Sequence, residues 1–213
     1  MWISKDKNAR KKEFLKTAIA MYKEHGYEAT SINKILAEMN ITKGSFYYHF
    51  DSKEDLLSQV VDFFLRDISS IANNIGESRS GAAEKLEMLM KEIILYREEN
   101  TGLYKDFYEI NSKMGNELIQ IKYQEKIKDL FYEIIQQIIR QGKDEGVFNP
   151  IDFEETPELF LVIANHYKVK IANCYYTEHN KRENELQRLG VAFQQTIERL
   201  LGAKQGTLDF YSR

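Results

Sequence analysis

Apolar residues in this chain recur three and four positions apart, and no stretch shows sustained alternation. That period is helical rather than extended, and it limits the possible folds more than any other feature. Only two prolines, Pro150 and Pro157, interrupt 213 residues rich in Leu, Ile, Glu and Lys. The fold class that follows is all-α.

The first helix is predicted over about 8–24, where Phe14, Leu15, Ala18, Ile19 and Tyr22 share one face, with Gly26 as its left-handed stop. A short second helix takes Thr30 or Ser31 as N-cap and turns Ile32, Ile35, Leu36 and Met39 inward. Asn40 stands where a tight turn needs a left-handed residue, and Ile41 fills the gap that follows. Thr42 opens a very short third helix ending near His49. Ser52 caps a fourth, with Glu54 and Asp55 in the first turn, where carboxylates suit the helix dipole. Leu56, Leu57, Val60, Val61, Phe64, Ile68 and Ile71 carry it onward, and the polar segment 73–81 is expected to be a loop.

About five more helices are expected beyond that loop. The cleanest passes through Ile127, Leu130, Phe131, Ile134, Ile135, Ile138 and Ile139 and is closed by Gly142 and Gly146. Thr156-Pro157-Glu158 reads as a cap and first turn of a helix reaching about 177. A final helix aligns Leu186, Leu189, Gly190, Phe193, Ile197, Leu200 and Leu201, and the tail beyond Gly202 carries no pattern. The expected organisation is a head over 1–52, a helical body over 53–204 and a tail over 205–213.

Size and chemistry narrow the function classes. A chain this long buries a core without disulfides or metal, and its one cysteine, Cys174, allows no intramolecular disulfide. The start lacks an apolar run fit for a signal peptide, and no run of about 18 apolar residues suggests a membrane span. A cytoplasmic setting and no membrane partner are therefore expected. Charge is uneven: residues 1–53 hold ten Lys/Arg against six acids, net +4, and the remainder carries −7. A basic head on an acidic body suits a polyanionic partner.

Residues 30–57 read TSINKILAEMNITKGSFYYHFDSKEDLL. Two short helices joined by a tight turn form a helix-turn-helix, whose second helix enters the DNA major groove. Phe46 and Phe50, four apart, must face the core, which turns Tyr48 outward with Gly44 and Ser45 beside it. An outward aromatic beside a glycine and a serine contributes little to folding. It makes sense where a backbone approaches another surface closely and hydroxyls reach phosphates or base edges. Lys43 in the first turn opposes the helix dipole, a cost a nearby phosphate would offset.

The segment resembles the DNA-binding domain of the TetR family of bacterial transcription regulators over roughly residues 9–57. The resemblance rests on Ala18, Gly26-Tyr27, Thr30-Ser31-Ile32, Ile35, the run from Ile41 to Phe50, and Ser52-Lys53-Glu54-Asp55-Leu56-Leu57. The family commonly has Ala where this chain has Leu36 and Gly where it has Asn40. By matching position, the resemblance implies DNA contacts from Ser31, Asn33, Thr42, Lys43, Gly44, Ser45, Tyr47, Tyr48, His49 and Lys53. A packed or capping role is the alternative for His49, and a stiffening role for Tyr47. It also implies an N-terminal three-helix DNA-binding domain, followed by a larger helical ligand-binding and dimerisation domain. The partners would be double-stranded operator DNA, a small-molecule effector, and a second copy held through the last two long helices.

A pocket between helices would be mostly apolar with a few polar groups. Tyr96, Tyr104, Phe107, Tyr108, Tyr123, Phe131, Phe160, His166 and Tyr167 are candidates to line it, along with Met114 and Tyr175; any one of them taken singly is more often ordinary core. The aromatic surplus suits a hydrophobic or flat effector. Repression relieved by ligand is the main expectation, with activation or corepressor dependence as alternatives. An enzyme fits poorly: no HExxH, Walker A or GxGxxG spacing occurs, and Cys174, His166 and His179 are badly spaced for one helix face. No cofactor or metal is expected. A non-specific DNA-binding protein would be strongly basic overall, whereas the net charge here is −3.

Overall fold

The computed structural model describes residues 7–177 and 182–210. They form helices α1 (Lys7–His25), α2 (Ile32–Met39), α3 (Lys43–Tyr47), α4 (Lys53–Gly76), α5 (Ala82–Glu99), α6 (Thr101–Ser112), α7 (Glu117–Asp144), α8 (Thr156–Thr177) and α9 (Arg182–Leu200). No strand occurs among the described residues, so the all-α expectation holds. The helices pack into two compact units. One combines the described part of Met1–Arg66 with Gly102–Lys126; the other combines Asp67–Thr101 with 127–210. The helical body expected from 53 onward is thus divided by packing, with α6 and the start of α7 grouped with the head.

In the first unit the apolar face of α1 forms the centre. Phe14, Ala18 and Tyr22 are fully buried, and the Phe14 ring meets Phe46 and Phe50 edge-on at 5.8 and 5.4 Å. Truncating a buried phenylalanine of this kind costs about 3–5 kcal/mol. Gly26 ends α1 at φ +85°, as the sequence implies. Ser31, not Thr30, caps α2: its Oγ accepts from the Lys34 N–H. Thr30 is buried and donates its hydroxyl to the Gly26 carbonyl at 2.7 Å, closing the turn between α1 and α2. Asn40 adopts φ 51°, ψ 52°, the left-handed conformation that the α2–α3 turn demands. Ser52 Oγ accepts from the Asp55 N–H at 3.1 Å and so caps α4.

The second unit corrects several expectations. The loop expected over 73–81 is shorter, because α4 continues to Gly76 with Ala72 and Ile75 buried. Burial overrides the weak helix propensity of the two asparagines, and Lys85 donates to the Gly76 carbonyl to finish the helix. Gly142 does not close its helix; it lies inside α7, where a Cβ would come within 2.0 Å of the buried Phe148 ring. The left-handed stop is Gly146 alone, at φ +73°. Thr156 belongs to α8 itself, and Asp152 accepts from the N–H groups of Glu154 and Glu155 in the turn that leads into it.

The tail beyond Gly202, which carries no sequence pattern, is bound down through Phe210. Glu198, almost fully buried, accepts from the N–H groups of Gly206 and Leu208, while Glu87 accepts from that of Asp209. Phe210 is buried, and its ring lies 5.3 Å from Phe193, which in turn lies 5.2 Å from Tyr167. Burial of two apolar side chains, Leu208 and Phe210, supplies the driving force that a patternless sequence conceals.

Candidate nucleic-acid interface

α3 is only five residues long, and propensity disfavours it, since it contains Gly, Ser and two aromatics. Packing holds it in place. Phe46 is fully buried against Phe14, and Phe50 seals the exit from the helix, so register is set by two rings four apart. The opposite side is bare: Tyr48 is 66% and Tyr47 49% exposed, with Thr42, Lys43 and Gly44 also exposed and Ser45 half-buried. Nothing lies within 4 Å of a Cβ built on Gly44, so its own fold does not require a glycine there. Thr42 precedes the helix with extended backbone, is exposed and makes no side-chain cap bond.

Ser31 and Asn33, at the start of α2, are exposed as well, although the Ser31 hydroxyl is engaged as a cap. Lys53, at the start of α4, is half-buried. Its ammonium sits 4.0 Å above the Tyr27 ring and 3.5 Å from the Glu28 carbonyl, which keeps a positive charge at a helix N-terminus. Lys43 lies 5.8 Å over the Tyr47 ring. Most of the expected contacts therefore come from side chains that the head's packing leaves exposed.

His49 differs from the others. It is half-buried, 5.7 Å from the Phe14 ring and 5.0 Å from that of Tyr48, with Nδ1 buried and lacking a hydrogen-bond partner. Burial lowers its pKa below the ordinary histidine range, and the charges of Lys7, Lys11 and Arg10 lower it further. The same three cations form a feature that motif reading overlooked. They precede Phe14 by seven, three and four positions, so the α1 face that packs on α3 continues outward as positive charge. Lys7 reaches to 4.9 Å from the centre of the exposed Tyr48 ring, whereas Arg10 is paired with Glu13 at 2.9 Å. The signal was the i, i+3, i+4, i+7 spacing of Lys7, Arg10, Lys11 and Phe14.

The residues expected to line a ligand pocket are divided between the two compact units. Tyr104, Phe107 and Tyr123 are buried in the first unit. The Phe107 ring lies 4.8 Å from Phe64 and 4.5 Å from Tyr123, and the Tyr104 hydroxyl reaches the Phe64 carbonyl at 3.4 Å. Tyr108 is half-buried in that unit, and Met114 is 89% exposed, which removes it from any interior lining. In the second unit Phe131 and Phe160 are buried, Tyr167 is half-buried beside Phe193, His166 is exposed, and the Tyr96 hydroxyl donates to Asp67. Cys174 is buried; the Tyr175 side chain and His179 lie outside the described residues. Among the described residues no group of three His, Cys, Asp or Glu side chains could hold a metal, and no helix is long and apolar enough to cross a membrane.

Residues 14–60 match the family described as bacterial regulatory proteins, tetR family. The chain is 33% identical over 130 residues to the HTH-type transcriptional regulator YerO of Bacillus subtilis (strain 168), covering 61% of this chain and 43% of that protein. It is 29% identical over 152 residues to the HTH-type transcriptional repressor KstR2 of Rhodococcus jostii (strain RHA1), covering 70% and 72%. In fold it is similar to SmeT, the repressor of the Stenotrophomonas maltophilia multidrug efflux pump SmeDEF, with TM-score 0.67 at 16% identity over 95% of this chain and 94% of that one. A SmeT–triclosan complex superposes equally well, with TM-score 0.68 at 17% identity over 96% and 98%. A buried two-phenylalanine anchor that presents a bare, glycine-bearing helix thus lies within residues 14–60, the segment that matches the tetR family of bacterial regulatory proteins, and in fold the chain is similar to regulators of that family.

Proposed function

We propose that this protein is a ligand-responsive repressor. It would bind an inverted-repeat operator as a homodimer and be released by a small hydrophobic or aromatic effector. The observation that carries the reading is the division of α3 into a fully buried face and a bare one, with Tyr48 outward and open space at Gly44. Lys43, Tyr47 and Lys53 hold phosphates, while Asn33, Gly44, Ser45 and Tyr48 face base edges, with Ser31 and Thr42 beside them. His49 supports Tyr48 from behind rather than contacting DNA.

One short helix touches too few base pairs for specificity, so two copies related by a twofold axis would read half-sites about one helical turn apart. The α8 surface suits that assembly. Leu159, Val162, His166 and Val169 are all exposed at spacings of three, four and three, the seam of a helix pair, and α9 adds the exposed Val191. An aromatic effector is supported by the ring-rich interiors of both units and by the triclosan complex of the structural neighbour SmeT. Such a ligand acts through its preference for a dimer spacing that the operator does not fit.

The test is selection of bound sequences from random duplex DNA at two salt concentrations. The protein is first unfolded, dialysed and refolded to remove any bound effector. Enrichment of an inverted repeat well above competitor DNA is expected. Weak binding that is only salt-sensitive, without enrichment, would overturn the reading.

A further inference from the structure

α1 carries no local cap for its last carbonyls beyond the Gly26 turn; they are met by residues some ninety positions away in the same compact unit. Lys113, at the turn between α6 and α7, donates to the carbonyls of Lys23 and Glu24 at 3.0 and 2.8 Å. Asn116 is completely buried and uses both ends of its amide. Its Oδ1 accepts from the Tyr27 N–H at 2.6 Å, and its Nδ2 donates to the carbonyls of Tyr22 at 3.3 Å and Ile110 at 2.8 Å. Lys23 on α1 is paired with both Asp106 and Glu109 on α6, at 2.6 and 2.7 Å. The Gly26 turn is pressed closely enough that a Cβ there would touch Asn116 at 3.6 Å and the Gly115 carbonyl at 3.8 Å.

These contacts have a common target. Tyr22 to Tyr27 is the hinge from which α2 departs, and Thr30 ties that hinge to the α2 cap. The Tyr22 ring lies 5.4 Å from Tyr27, over which Lys53 is held. A displacement of α6 or of its turn therefore cannot leave the α1–α2 hinge untouched: it breaks charge-assisted bonds to carbonyls that have no local substitute.

We propose that Asn116 and Lys113 are positioning residues for DNA binding: the α6–α7 turn acts as a tertiary cap on α1, setting the angle at which α2 and α3 meet the operator. The idea rests on the repressor reading. A ligand that draws α6 away would uncap α1 and loosen the head without touching DNA.

The experiment uses the full chain with two substitutions, Lys113→Met and Asn116→Asp. Lys113→Met keeps the aliphatic stem on a half-buried surface residue and serves if the buried Asn116 variant fails to fold. Hydrogen exchange in the absence of DNA is expected to quicken about tenfold or more at the Tyr27 amide and through the first turn of α2, with the α5, α8 and α9 amides unchanged. Affinity for a selected operator is expected to fall about tenfold at an unchanged salt slope, because no phosphate contact is lost. Unchanged exchange over 22–35 in the Lys113 variant would overturn the proposal. So would an operator affinity within twofold of the parent despite a lowered melting temperature, or a salt slope reduced by about one, the mark of a direct phosphate contact. Failure of the parent protein to select any operator would refute the repressor reading alone, and the exchange measurement would still decide this one.

Discussion

Replacing Gly44 with alanine should move stability and DNA binding in opposite directions. Gly44 is the second residue of α3, and nothing in the protein lies within 4 Å of the added Cβ. Removing backbone freedom from the unfolded chain should therefore stabilise the fold, by at most the 0.5–1 kcal/mol that separates glycine from alanine in a helix (roughly). In a chain of this size that is an upward shift of about 1–4 °C in Tm. On DNA the same methyl occupies the space through which the backbone approaches the groove. An overpacked contact costs about 1–3 kcal/mol, so operator binding should weaken by about 5- to 150-fold. The assay pairs a thermal melt of the free protein with fluorescence anisotropy on a selected operator. Gly102→Ala is the control: it stands at the same position of α6, also has nothing within 4 Å, and lies outside the expected DNA face. A Gly44→Ala protein that is more stable and binds as tightly as its parent would refute docking through this face of α3.

Lys43→Ala and Lys53→Ala should each weaken binding to all sequences and lower the salt slope by about one, measured as affinity against salt concentration. Lys53→Ala should also cost about 0.5–1 kcal/mol of stability, because its ammonium lies 4.0 Å over the Tyr27 ring, a closer contact than Lys43 makes with Tyr47. Glu198→Ala leaves the N–H groups of Gly206 and Leu208 without their carboxylate, a loss of about 1–3 kcal/mol. Limited proteolysis should then cut within 203–210 before any helix is attacked. His49 is held below the ordinary histidine pKa, so the unfolded chain takes up its proton more readily than the folded one. Its contribution to stability is complete above about pH 6.5 and declines as pH falls below that value. A melt series from pH 8 to 5.5 should show a steeper acid loss in the parent than in His49→Gln, and equal slopes would contradict the packed placement.

Much of the head was legible in one dimension because its determinants are local. Phe46 and Phe50 are four residues apart on one helix, and Ser52 caps an N–H three residues on, so period and cap chemistry suffice to place them. The left-handed Asn40 was likewise readable, since the residue that tolerates that conformation stands at the turn that needs it. His49 was harder: its spacing allowed a contact or a packed role, and only the position of Phe14, 35 residues earlier, turns it inward.

Apolar period, two prolines and the run from Thr42 to Phe50 were enough to determine an all-α chain with a helix-turn-helix in its head, because those features act through neighbours within one or two helical turns. The tertiary structure alone decided which of the aromatic residues pack together, why the tail after Gly202 is bound to Glu198 and Glu87, and what caps the end of α1. Each of these joins groups that are not neighbours in sequence: Glu87 and Asp209, Lys23 and Asp106, Asn116 and Tyr27. A buried amide or carboxylate has no period and no motif. Its partners are set by how the helices pack, and that arrangement exists only once the chain has folded.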